Sequence, residues 1–219
     1  MSIANNIKEI KSEIPGTATL VAVSKTKPNE AIQEAYDSGQ RIFGENKVQE
    51  LAQKYEDLPK DIEWHLIGHL QTNKVKFIAP FVSLIHAVDS FKLLKEINKQ
   101  ALKNARVINC LLQIKIAKEE SKFGLSQADA KALINSKEVQ ELKGIKIIGL
   151  MGMSTNTSNE NQVKQEFSTL HQFYKKFSIL NSQFSILSMG MSGDYKIALQ
   201  QGSTMIRVGS TIFGSRSYH

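Results

Sequence analysis

Lys25 falls at the end of a short β-branched run, in Val23-Ser24-Lys25-Thr26-Lys27-Pro28, where an amine at the mouth of a parallel-strand fold can form a Schiff base. Lys27, two residues on, supplies a second cation, and a cation beside an amine favours the neutral form that this chemistry requires. Further stretches carry ligand-binding residue types. In Phe43-Gly44-Glu45-Asn46-Lys47-Val48-Gln49-Glu50 a strand passes into a helix through glycine, and Asn46 suits either a helix cap or a ligand contact. Trp64 to Lys74 holds His65 and His69 at i,i+4, the spacing of a helical zinc pair. They lie on or beside a strand without an HExxH pattern, so no metal is expected. His86-Ala87-Val88-Asp89-Ser90 is a polar strand end suited to capping the next helix.

The last quarter holds two Gly/Ser-rich loops, Met189-Gly190-Met191-Ser192-Gly193-Asp194 and Arg207-Val208-Gly209-Ser210-Thr211-Ile212-Phe213-Gly214, each opening a short helix. Such loops either present backbone N–H groups and hydroxyls to an anion or are plain capped turns. From Tyr195 to His219 the basic residues are Lys196, Arg207 and Arg216, and there is no acid, so a phosphate is electrostatically favoured.

Short β-branched runs alternate with helix-length amphipathic segments along nearly the whole chain, which implies crossover units and a parallel sheet. Eight strands are expected, at Thr19–Ser24, Arg41–Gly44, Glu63–Gly68, Leu84–Val88, Val107–Ile116, Ile145–Met151, Phe184–Leu187 and Thr204–Val208. Pro28 suits the first position of a helix that Gly39 ends, and Asp89 or Ser90 suits the cap of a helix lined by Phe91, Leu94, Ile97 and Ala101. Val163, Phe167, Leu170, Phe173, Tyr174 and Phe177 form a longer stripe, read as core packing after the exposed loop 155–161. Eight units in 219 residues fit a single-domain (β/α)8 TIM barrel over residues 1–219. An open doubly wound sheet is the alternative, weakened because neither GxGxxG nor a Walker loop occurs.

The net charge of +7 suits an anionic ligand, but no run of five basic residues and no interleaved aromatic ladder points to nucleic acid. Cys110, the lone cysteine, lies in an apolar run, which excludes an intrachain disulfide and a CxxC metal site and fits a buried, inert thiol. Met1 to Pro15 lacks the apolar centre of a secretory leader, and Phe77 to Val88 is too short and too interrupted to span a bilayer, so a cytoplasmic location is expected.

A strand-end lysine, an anion cradle and an interior arginine are together what pyridoxal phosphate (PLP) requires: an amine for the aldehyde, donors for the phosphate and a partner for the ring nitrogen. The ordered motifs at 23–28, 43–50, 64–74, 121–124, 188–194 and 202–214 resemble the pyridoxal phosphate homeostasis protein family over essentially the whole chain. The resemblance implies a barrel similar to the N-terminal domain of alanine racemase, carrying PLP as an internal aldimine on Lys25. It also implies that Ser192, Gly209 and Ser210 hold the phosphate beside Met191, that Arg207 meets the pyridine nitrogen, and that Asn46 lies near the ring. Departures are the loop Met151-Gly152-Met153-Ser154 and Ser210, which stands where relatives often have threonine. The expected function is PLP homeostasis with little or no catalysis, by a monomer that meets apo PLP-dependent enzymes transiently and has no nucleic-acid or membrane partner. A PLP-dependent racemase and a Schiff-base phosphosugar lyase or isomerase are the alternatives.

Overall fold

Parallel strands covered on both faces must be apolar along their whole length. Leu84-Ile85-His86-Ala87-Val88, buried at all five positions, follows that pattern with one polar exception, His86. The computed structural model describes residues 2–119, 123–179 and 182–214. Its strands are β1 (Thr19–Val23), β2 (Ile42–Glu45), β3 (Glu63–Leu66), β4 (Leu84–Val88), β5 (Ile108–Ile114), β6 (Ile145–Gly152), β7 (Ile186–Ser188) and β8 (Met205–Val208). Each pairs in parallel with the next, and β8 pairs with β1, closing the barrel in sequence order. The barrel is therefore found, and the open sheet is excluded. Strand ends differ from the sequence expectation by one or two residues.

The helices among the described residues are α1 (Ile3–Glu13), α2 (Asn29–Asp37), α3 (Val48–Asp57), α4 (Val75–Ile78), α5 (Phe91–Lys103), α6 (Gln127–Asn135), α7 (Lys137–Gln140), α8 (Glu160–Ser178), α9 (Tyr195–Gln200) and α10 (Ser210–Phe213). Pro28 proves to be the extended residue before α2 rather than its first turn, with ψ at 161°. Ser90 caps α5 as expected, its Oγ accepting from Leu93 N at 3.3 Å. The stripe on α8 buries Val163, Phe167, Leu170, Phe173 and Tyr174 against the barrel. Removing a fully buried ring such as Phe167 costs about 3–5 kcal/mol, which is how that face holds the helix in place.

Two apolar layers result from the strand alternation. Leu20, Ala22, Phe43 and Trp64 face the helices in the larger core, whereas Val21, Leu84, Ala87, Leu111, Met151 and Met205 fill the barrel's interior. Cys110 is buried in the larger core, and burial pushes its thiol up to about 12, which makes it inert.

Candidate functional site

A cavity of about 510 Å³ opens where the strands end, within the size range of pockets for small ligands. Lys25, Asn46, Met191, Ser192, Arg207, Gly209 and Ser210, widely spaced in sequence, all line it. The barrel brings them together because each follows or ends a strand at the same rim.

Lys25 lies in a short turn after β1 that is pinned from below. Ser24 N donates to Gly44 O at 3.1 Å, and Lys27 N donates to Ser24 O at 3.0 Å. Thr26 sits at φ 63°, a conformation costly for a β-branched residue. Its N–H donates to Glu50 Oε1 at 2.6 Å, which holds it there. Lys54, itself buried, donates to Ser24 O at 2.8 Å, to Glu45 Oε1 at 2.8 Å and to Glu50 Oε1 at 2.7 Å. Burial outweighs the adjacent ammonium and raises the Glu45 carboxyl above the ordinary carboxylate range. Lys27 Nζ donates to the carbonyls of Phe213 and Gly214 at 3.0 and 3.1 Å, so this second cation also ties the first loop to the end of α10.

Asn46 does not cap α3, since Lys47 occupies that position. Its Oδ1 is buried and has no hydrogen-bond partner among the described residues. Gly68, in the loop after β3, comes so close that an added Cβ would fall 2.3 Å from Asn46 O, so only glycine lets that loop cover Asn46.

The loops after β7 and β8 are tied to each other: Gly209 N donates to Ser192 Oγ at 3.2 Å. Asp194 shapes the first of them, accepting from Met191 N and from Ser154 Oγ, both at 2.6 Å. Gly190 turns at φ 98° with Ala198 against it, leaving no room for a side chain. Ser210 opens α10, whose first amides lack intrahelical acceptors.

Arg207 lies in β8 opposite Val21 of β1 and is 3% exposed. Its Nη1 donates to Ser188 O at 2.9 Å and to Ser188 Oγ at 2.6 Å, and its Nη2 donates to Gly152 O at 3.2 Å. Burial lowers it to about 10, with the Asp194 charge opposing, so it remains a cation at neutral pH.

Sequence reasoning missed the Glu45–Lys54–Glu50 cluster, although the i,i+4 spacing of Glu50 and Lys54 was a visible signal. It also missed the roles of His86 and Ser188. His65 and His69 part company: His65 turns inward to His86. His69 pairs with Asp89 at 3.3 Å and stacks on Phe123 at the cavity's lip. No group that could hold a metal ion occurs among the described residues. Ser121, Lys122 and Arg216 lie outside the described residues.

A parallel eight-stranded barrel with a lysine after its first strand and an arginine in its last defines a class that known proteins identify. Residues 1–217 match the family model of the alanine racemase N-terminal domain. A protein of Aquifex aeolicus named pyridoxal phosphate homeostasis protein is 39% identical over 206 residues, covering 92% of this chain and 88% of its own. One of Escherichia coli K12 with the same name is 36% identical over 233 residues, covering 99% and 97%. The structure of PipY of Synechococcus elongatus with PLP bound superposes with a TM-score of 0.87 at 35% identity, over 97% of this chain and all of that one. Alanine racemase of Clostridium difficile, at 12% identity and a TM-score of 0.80, shares the fold over 60% of its length. The chain belongs to the pyridoxal phosphate homeostasis protein family.

Proposed function

We propose that this chain binds pyridoxal 5′-phosphate at Lys25, covalently and reversibly, and serves the cell's PLP supply with little or no catalysis of its own. The convergence of all seven expected residues on one cavity carries this reading. Two features of the wall fit the cofactor among the described residues: Asn46 Oδ1 is a buried polar atom without a partner, and Arg207 is a buried cation with no carboxylate in ion-pair contact.

When bound, PLP supplies an aldehyde that an amine can capture and a ring that can take up electron density. Lys25 Nζ is the capturing amine, and the cluster around Lys54 holds the main chain that carries it. The Ser192 and Ser210 hydroxyls and the Ser210 amide line the cavity as donors for a phosphate, while the Gly209 amide holds Ser192 in place. Arg207 keeps its proton at neutral pH, so it would offer the ring nitrogen a hydrogen bond without giving up the proton, and the ring would stay a weak electron sink. On this reading the partners are PLP and, transiently, apo PLP-dependent enzymes, and the protein works as a monomer in the cytoplasm. No helix among the described residues is long and apolar enough to cross a membrane.

Purified protein should take up PLP with a visible absorbance band, and borohydride should fix one equivalent to the peptide containing Lys25. Mass mapping to another lysine, or a protein that stays colourless, overturns the assignment. Solvent deuterium should not enter the α-position of alanine above background; rapid exchange would make the protein a racemase.

A further inference from the structure

Ser188, His86 and His65 form an unbroken hydrogen-bonded row behind Arg207. Ser188 Oγ lies 3.1 Å from His86 Nδ1, and His86 Nε2 lies 3.1 Å from His65 Nδ1. The row draws on β8, β7, β4 and β3, and β4 and β7 are not neighbours, so it crosses the barrel's interior. Ser188 and His86 are fully buried and His65 is 4% exposed.

Proton bookkeeping gives the row one direction. A guanidinium has five donors and no acceptor, so the Ser188 hydroxyl oxygen must accept from Arg207. The hydroxyl's own proton has one other partner among the described residues, His86 Nδ1, which must then be unprotonated. A neutral imidazole with a bare Nδ1 carries its hydrogen on Nε2, and that N–H can only donate to His65 Nδ1. In the reversed arrangement His86 would donate to Ser188, and the hydroxyl proton would face two donors with no acceptor. Burial keeps both rings neutral: His65 is lowered to about 3, and His86 is held well below its ordinary value by burial, then by His65 and Arg207. A protonated ring would donate from both nitrogens and break the row.

We propose that Ser188, His86 and His65 are positioning residues whose one-way row of hydrogen bonds, running away from the guanidinium, fixes Arg207 with its unused donors toward the cavity. Three of the five donors are engaged by Ser188 and Gly152, leaving Nε–H and one Nη2–H for a ligand acceptor. The last step, that this acceptor is a pyridine nitrogen, rests on the PLP reading; the direction of the row does not.

The test therefore has a readout without cofactor. Long-range ¹H–¹⁵N correlation on protein with ¹⁵N-labelled histidine should show His86 and His65 each as the Nε2–H tautomer with an unprotonated Nδ1. A His86 that carries its proton on Nδ1 overturns the proposal. In the second arm, Ser188→Ala should mix the His86 tautomers, shift the absorbance of bound PLP and weaken PLP retention about tenfold, the size expected for one hydrogen bond to a charged group. Ser188→Thr should restore all three. If Ser188→Ala lowers only thermal stability, with tautomer and absorbance unchanged, the row is structural and the proposal falls. A wild type that takes up no PLP would overturn the cofactor reading alone, because the tautomers decide the row's direction independently.

Discussion

Two buried cations lie under one cavity and are held in opposite ways. Lys54 contacts two carboxylates, Glu45 and Glu50, at 2.8 and 2.7 Å, and one carbonyl. Arg207 contacts two carbonyls and a hydroxyl, backed by neutral histidines, with no carboxylate in ion-pair contact among the described residues. A cation closed off by carboxylates has little field left for a ligand, and what it does well is fix the backbone from which Lys25 projects. A cation held only by neutral acceptors is costlier to bury, as its lowering to about 10 records, but it keeps charge and donors for whatever enters the cavity. The first arrangement serves stability and aim; the second serves recognition.

The largest expected effect separates the anchor from both cations. Lys25→Ala should abolish borohydride-fixable PLP entirely while leaving the circular dichroism of the fold intact, since an amine at the barrel mouth contributes little packing. A collapsed fold in that variant would make Lys25 structural. The next contrast sets the two cations against each other. Lys54→Met strands two carboxylates and should cost about 3–5 kcal/mol in urea denaturation, as breaking a buried pair does. Arg207→Met leaves only neutral groups without a partner; it should cost less than Lys54→Met and lose most PLP retention. Equal stability losses in the two variants would break the comparison.

Much of this was legible in the sequence, because parallel strands and crossover helices leave a regular pattern in apolar residues. The run Leu84–Val88 is a strand end to end, as expected, since burial on both faces admits little else. The rim residues were also legible, because lysine, arginine and Gly/Ser loops at strand ends have few roles in a barrel. The supporting networks were hidden for a physical reason: they join residues of different strands. Nothing near Ser188 in sequence shows that it lies beside His86, 102 positions away, or that Glu45 meets Lys54 across a strand–helix turn. His86 is the visible clue, a polar side chain in an otherwise apolar strand, though its sequence neighbours Asp89 and Ser90 suggest only a helix cap. Helix α1, absent from the sequence reading of Met1 to Pro15, has its signal in Ile7 and Ile10, which share one helical face and are buried.

The neutrality of the histidine row gives a pH dependence of known sign. His65 titrates at about 3 in the folded protein against its ordinary 6.5. Between those values the unfolded chain binds a proton that the folded chain does not, so this contribution is fully present above 6.5 and is lost as pH falls toward about 3. Each pH unit inside that window is worth up to about 1.4 kcal/mol. The stability of the wild type relative to His65→Gln, whose amide does not titrate, should thus fall by about 2 kcal/mol between pH 6.5 and pH 5 in urea titrations. A constant difference across that range would mean that the folded row takes up its proton as readily as the unfolded chain, which would erase the contrast between a charged clamp under Lys25 and a neutral one behind Arg207.

The smallest effect tests how firmly the charged cluster imposes shape on the loop that carries Lys25. Thr26 is held at φ 63° by its N–H bond to Glu50 Oε1, and its hydroxyl donates to Lys25 O at 2.6 Å. For an L-residue that conformation costs about 1–2 kcal/mol, whereas glycine adopts it freely. Glycine in turn loses about 0.4–1 kcal/mol through the greater freedom of its unfolded chain, so Thr26→Gly should leave stability nearly unchanged. Thr26→Ala keeps the conformational cost and should be less stable than Thr26→Gly by about 1 kcal/mol, because alanine where φ is positive destabilises. The main-chain bond to Glu50 survives both changes, so it is the cluster that enforces the comparison. In a Glu50→Ala background the loop is released, and the advantage of glycine over alanine at position 26 should vanish or reverse. If glycine keeps its advantage without Glu50, the left-handed turn is set by the chain's path after β1 alone, and the charged cluster does no more than add stability beneath it.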